Sequence, residues 1–221
     1  MIIERRRYSV VRGQMDRMHQ RMQHMLLPMF AQHGIPLPIA MWEDRDGGSI
    51  LTWMIEWPSF ETRQALWANF YPHFYAARAL ETGDEFVTRT DLTLIAPWPE
   101  RPFVFPVGQG ICESAWHPQP PIGQGATFRQ AMNGPDADIF QAVGALAVQV
   151  SDIVFGPLPM AMVIVSWSDA EARNAGMARL ERWPVPERLA GTLDLHGSSL
   201  TSAGLWEDFD RISYLPTWRL G

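Results

Sequence analysis

Trp57-Pro58-Ser59-Phe60-Glu61-Thr62-Arg63-Gln64-Ala65 and Trp167-Ser168-Asp169-Ala170-Glu171-Ala172-Arg173-Asn174-Ala175 decide how this chain is read. Trp57, Glu61, Arg63 and Ala65 recur as Trp167, Glu171, Arg173 and Ala175, each pair 110 positions apart. The same offset superposes residues 37–43 on 147–153 and 49–57 on 159–167, two segments with the apolar content and turn-flanked ends of a hairpin. Self-similarity at a fixed spacing is the mark of a duplicated structural unit, so the 221 residues are expected to hold two units of roughly 100 residues each.

Working outward, residues 2–11 read as a strand, with Glu4, Arg6 and Tyr8 on one face and Arg5, Arg7 and Ser9 on the other. Residues 14–32 carry Met15, Met18, Met22, Met25, Leu26 and Met29 at spacings of three and four, a helix with an apolar stripe. His33-Gly34 closes it, Gly supplying the left-handed cap. Residues 37–43 and 49–57 form a hairpin around Asp44-Arg45-Asp46-Gly47-Gly48, 60–80 a second helix, and 86–97 a fourth strand. Strand, helix, hairpin, helix, strand is the split βαβ order of a ferredoxin-like unit. After a Pro- and Gly-rich linker the order restarts: strand 111–117, helix 138–148, hairpin strands 149–155 and 160–167, helix 170–182, strand 193–200. The expected fold is α+β, two tandem ferredoxin-like repeats forming a pseudo-dimeric α/β barrel, with units at 1–100 and 110–204 and a C-terminal tail at 205–221. The amphipathic tail (Trp206, Phe209, Tyr214, Trp218) is expected to close a cavity or to bury itself across a homodimer interface.

Composition removes whole classes of chemistry. All 18 basic residues are arginine, so no lysine Schiff base and no Gly-Lys-Ser/Thr phosphate loop is available. The net charge of -6 argues against a nucleic-acid partner. Cys112 is the single cysteine, which rules out an intrachain disulfide. The opening Met1-Ile2-Ile3-Glu4-Arg5-Arg6-Arg7 is charged at once, unlike a signal peptide, and no run reaches the roughly 20 apolar residues of a membrane span. A soluble, cytoplasmic protein with no membrane partner is expected. None of the six histidines forms an HxH or HxxxH pair, and His19 and His24 are too far apart around a helix to share an ion, so no metal and no other cofactor is expected.

Ile3-Glu4-Arg5-Arg6-Arg7-Tyr8-Ser9-Val10, Gly13-Gln14-Met15, Pro28 to Gly34, and Ile55-Glu56-Trp57-Pro58-Ser59-Phe60-Glu61-Thr62-Arg63 together resemble NIPSNAP-type domains. The resemblance covers residues 2–97, and 111–200 in outline. It implies the dimeric α/β barrel superfamily, whose members include heme-binding chlorite dismutase-like enzymes, cofactor-free monooxygenases and isomerases. The second half departs from the family's opening, since Ser114-Ala115-Trp116 stands where the arginine run would be.

Candidate chemistry lies in polar side chains on strand faces that would otherwise be apolar. Glu4, Arg6 and Tyr8 share a face of the first strand; Glu113, Ala115 and His117, at an offset of 109, share one in the second half; Asp194, His196 and Ser198 share one on the last strand. If these faces look inward, carboxylates, imidazoles, a phenol and an arginine converge in an apolar cavity. Burial there moves carboxyl and imidazole pKa values toward the range that suits proton transfer. Glu113 and His117 are the first acid/base candidates; Glu4, Arg6, Tyr8 and His196 complete the catalytic set, with Arg6 and Tyr8 steadying oxyanion charge. Ten tryptophans point to a hydrophobic, aromatic substrate, with Trp42, Trp53 and Trp116 as its binding residues. The expected function is a cofactor-independent lyase or isomerase working by proton transfer. The alternatives are a monooxygenase, cofactor-free or heme-dependent, and a non-catalytic small-molecule-binding or interaction protein.

Overall fold

A computed structural model describes residues 1–44, 49–100, 112–118, 123–134, 138–156, 161–182 and 204–211. Its contacts divide the chain into two compact units that part between Leu94 and Ile95.

In the first unit, β1 (Ile2–Val10) leads to α1 (Met15–Arg21), a π-helical turn (Met22–Leu26) and α2 (Leu27–Gln32). Pro28 accounts for that turn: it has no N–H to donate and its ring crowds the carbonyl four residues back, so the chain takes a wider turn there. The extra residue rotates the apolar stripe. Met15, Met18, Met22 and Leu26 are buried as the spacing predicts, but Leu27 and Phe30 then replace Met25 and Met29 in the core. Gly34 ends the helix with φ +70°, a left-handed conformation that favours glycine. β2 (Ala40–Asp44), β3 (Ile50–Trp57), α3 (Phe60–Arg78) and β4 (Val87–Pro97) follow. β3 pairs antiparallel with both β1 and β2, and β4 lies beside β1, so the sheet order is 4-1-3-2.

The second unit repeats this plan with β5 (Cys112–Pro118), α4 (Gly125–Asn133), α5 (Ile139–Ala142), β6 (Ala147–Phe155), β7 (Ala161–Trp167), α6 (Ala170–Arg182) and β8 (Gly204–Arg211). Its order is β8-β5-β7-β6, the same 4-1-3-2 arrangement. Both units are ferredoxin-like. Equivalent caps start their second helices: Ser59 Oγ accepts from the Thr62 amide at 3.1 Å, and Asp169 Oδ1 from the Ala172 amide at 2.7 Å.

Three expectations change. The helix read at 138–148 is only the short α5, because Ala147 onward pairs with β7. An additional helix, α4, starts just after the Gly123 turn in a stretch to which the sequence analysis assigned no element. The fourth strand of the second sheet is Gly204–Arg211, in the stretch read as a tail, and it pairs along the whole of β5. The strand read at 193–200 lies outside the described residues. Among the described residues no helix is long and apolar enough to cross a membrane.

Candidate functional site

The paired register fixes which strand positions correspond between the units. Glu4 faces Ile55 and Arg6 faces Trp53 on β3; Ser114 faces Val165 and Trp116 faces Val163 on β7. The offset between β1 and β5 is therefore 110, not 109. Glu4 corresponds to Ser114, and Glu113 to Ile3. A one-residue slip sends a side chain to the opposite face of a sheet, so the two rows expected to share a face do not.

In the first unit, Glu4, Arg6 and Tyr8 point at the helices. The Glu4 carboxylate is fully buried and accepts from Arg6 Nε (2.6 Å), Arg63 Nε (2.8 Å) and Nη2 (3.0 Å), Trp57 Nε1 (2.9 Å) and Trp67 Nε1 (2.9 Å). Arg63 and Trp67, one turn apart on α3, are aimed at it by the Ser59 cap. Arg6 also donates to Tyr71 Oη at 2.9 Å and lies 4.1 Å above the Trp67 ring. Burial would raise the Glu4 carboxyl, but the Arg6 charge, donors from Arg63 and Trp67, and the Arg63 charge hold it below its ordinary value. Burial would lower Arg6, but Tyr8, Glu4 and Tyr71 raise it instead; burial raises the Tyr8 phenol, opposed by Arg6. The hydrogen bonds from Arg6, Arg63, Trp57 and Trp67 close a network around the Glu4 carboxylate under α3.

In the second unit, Cys112 and Trp116 of β5, Val148 and Val150 of β6, and Ala161, Val163, Val165 and Trp167 of β7 form one core with helix residues Phe128, Met132, Phe140 and Leu180. The alternate positions lie on the helix-free face: Glu113 and His117 on β5, Gln149 and Ser151 on β6, Ser166 on β7. All five are buried. Glu113 Oε1 accepts from Ser166 Oγ at 3.0 Å, and these two residues face each other in the ladder. One rung along, Ala115, Ile164 and Gln149 lie side by side; on the next, Met162 pairs with Ser151.

The three tryptophans separate in the same way. Trp53 packs on Phe30 (5.6 Å between centroids), and Trp116 on Phe140 (6.3 Å) and Phe128 (6.5 Å), so both belong to helix-side cores. Trp42 pairs with Thr52 on the helix-free face of the first sheet and is fully buried. That face also carries Arg5 and Arg7, which the sequence reading placed on the unused side of β1. His196 lies outside the described residues. A half-open cavity of about 290 Å³ in the second unit, lined by Trp98, Phe128, Arg129 and Asp152 among others, has no counterpart in the sequence reading. Its charges pair with each other, Arg129 Nη1 standing 3.2 Å from Asp152 Oδ2 and the guanidinium 4.7 Å from the Trp98 ring. Among the described residues no three His, Cys, Asp or Glu side chains gather as metal ligands would.

No protein-family model and no curated protein sequence matches the chain. Solved structures do. One described as an anthrone oxidase-like protein matches with a TM-score of 0.58 and 11% identity, over 96% of this chain and 91% of its own. A "putative monooxygenase" from Lactobacillus acidophilus matches with a TM-score of 0.55 and 10% identity, over 95% and 93%. The fold is that of the dimeric α/β barrel proteins. Matches to these dimeric α/β barrel chains span both units rather than one. A NIPSNAP domain protein from Burkholderia xenovorans matches over 47% of this chain and 100% of its own, with 15% identity and a TM-score of 0.35.

Proposed function

We propose that the protein is an enzyme acting on a small, hydrophobic, aromatic compound by proton transfer, as a lyase or isomerase needing no metal or nucleotide. The observation that supports this is the buried polar row on the helix-free face of the second sheet: Glu113, His117, Gln149, Ser151 and Ser166. Burying so many polar groups costs stability unless they are paired or used, and such groups in a dry site suit acid/base work. Ser166 holds the Glu113 carboxylate in one orientation, as a general base requires. Glu113 and His117 are four residues apart on a strand, about 13 Å. They therefore address opposite ends of a substrate, one removing a proton and the other polarising or protonating the far end.

Glu113→Gln and His117→Ala test this in a mass-spectrometric screen of aromatic phenols and ketones. Turnover by the wild type that falls by about 10²–10⁴-fold in each variant is the expected result; turnover unchanged in both would sink the reading.

A monooxygenase is the second reading, favoured by the fold shared with the anthrone oxidase-like protein and the monooxygenase described above. The same base would then remove a proton from an activated aromatic carbon, and the carbanion would react with oxygen. Oxygen consumption matched to substrate loss separates this from a lyase or isomerase, which consumes none. The ultraviolet–visible spectrum with added heme separates the heme-dependent form, which would show a stoichiometric Soret band.

A further inference from the structure

The cavity of about 290 Å³ in the second unit lies on the helix side of its sheet, so the sheet separates it from the row of Glu113 and His117. The chain opens this space by leaving out two large side chains. α1 and α4 begin 110 positions apart, each after a left-handed glycine (Gly13, φ +79°; Gly123, φ +86°) and a glutamine. Met15, buried at the start of α1, therefore corresponds to Gly125. Glu43 pairs with Leu51 as Asp152 pairs with Ala161, so the buried Leu51 corresponds to Ala161. Gly125 and Ala161 both line the cavity. The same correspondence matches His19 with Arg129, and the first unit makes the equivalent pair, His19 Nε2 with Glu43. Where the first unit has an imidazole beside bulky residues, the second has a permanently charged guanidinium beside open space.

Donors outnumber acceptors around this space. Trp98 is buried, its ring lines the cavity, and its indole N–H meets no acceptor among the described residues. An N–H buried without a partner costs free energy. A guanidinium carries five N–H groups; among the described residues, Arg129 places one of them on an acceptor, Asp152 Oδ2 at 3.2 Å. No side chain caps α4, whose first residues Gly125 and Ala126 also line the cavity, and first-turn amides have no partner within a helix. Arg129 and Asp152 are nearly half exposed and form the mouth, while Phe128 and Ala161 are buried and form an apolar floor. We infer that this cavity binds a small monocarboxylic acid with an aliphatic tail. Its carboxylate accepts from Arg129 and from the Trp98 indole N–H, since the guanidinium lies 4.7 Å over that ring and one carboxyl group spans both donors. The positive end of α4 adds to the attraction, and the tail packs on Phe128 and Ala161. The Asp152 charge at the mouth favours a single negative charge over a dianion. Water fills about 30 Å³ per molecule, so the space holds about ten non-hydrogen atoms, the size of octanoate. The site is independent of the proton-transfer reading, which concerns the other face of the sheet.

The test titrates octanoate and 1-octanol into the full chain by calorimetry. Octanoate binds the wild type one to one, at least about tenfold more tightly than octanol, which lacks the charge. Arg129→Gln lowers octanoate affinity by about tenfold or more and leaves octanol within about twofold, which shows that the cavity itself survives the change. Trp98→Phe keeps a ring on the wall and removes the N–H: octanoate affinity falls by about three- to tenfold at an unchanged melting temperature. Asp152→Asn removes the competing carboxylate, and octanoate binds more tightly. Gly125→Met and Ala161→Leu each copy the first unit and refill the space, so either one that folds loses both probes. Failure of octanoate to bind the wild type overturns the inference. So does equal affinity for octanoate and octanol, which marks an apolar hole with no anion recognition. Octanoate binding that survives refilling, or that ignores Arg129→Gln, places the carboxylate elsewhere on the protein and overturns it as well.

Discussion

The two units share one plan and differ in where they bury charge. In the first, the space between sheet and helix holds Glu4, Arg6 and Arg63, locked by indoles. In the second, the position of Glu4 is Ser114 and that of Arg6 is Trp116, while Arg173, the counterpart of Arg63 on the packed helix, is still buried. The opposite faces reverse the pattern in one respect. The first sheet there offers large side chains, Arg5, Trp42 and Met54, whereas the second offers Ala115, Ser151 and Ile164 beside Glu113. On the helix side of the first unit the Glu4 carboxylate is saturated by Arg6, Arg63, Trp57 and Trp67. Polar groups on the other face of the second sheet lie beside small neighbours. Burial alone does not separate these cases; the parity of the strand position does.

The largest effect that would break this comparison is expected at Glu4. Glu4→Gln leaves two guanidinium groups without their carboxylate and should cost about 3–5 kcal/mol of stability in denaturant titration, whereas Ser114→Ala at the matching position should cost under about 1 kcal/mol. Acid acts in the same direction. The folded-state pKa of Glu4 lies below its unfolded value of 4.5, so its contribution is complete above that pH and is lost as pH falls below 4.5 toward the depressed folded value. A melting temperature that holds steady through that range would show that the network is not what stabilises the first unit.

Gly176 comes next. A Cβ built there would lie 2.1 Å from Trp167 Cζ3, so the helix rests directly on the indole, while the matching residue in the first unit is Leu66. Gly176→Ala should destabilise by about 1–3 kcal/mol, the range for overpacking, and a neutral result would mean that Trp167 has room to turn. The smallest effect is expected at Glu85. Burial would raise its carboxyl, but the Val87 amide, Arg21 and Arg78 bring it down to about 2. Its contribution is therefore lost between pH 4.5 and about 2, and Glu85→Gln should cost no more than about 1 kcal/mol because the group is half exposed. Thermal melts at pH 7 and pH 3 should show the difference between wild type and variant shrinking in acid.

Element order was legible in the sequence because the Trp57 and Trp167 segments carry helix starts that any strand–helix junction must satisfy, and the structure caps both, at Ser59 and Asp169. Face assignment was not. A strand advertises its buried face by alternating polarity, and β5 is buried at every position, so Glu113 and His117 could be paired with Glu4 and Tyr8 as easily as with Ile3 and Arg7. Only the ladder register decided it. β8 went unread for a similar reason: 193–200 and 204–211 both alternate, and local pattern does not say which pairs with β5.

Carrying both units on one polypeptide has a genetic consequence. When two identical chains assemble such sheets, any codon change appears twice, and a glutamate gained on one sheet is gained on the other. Here a tryptophan codon at position 42 and a serine codon at 151 vary independently. One copy is free to keep the volume-filling residue while the other drifts toward new chemistry.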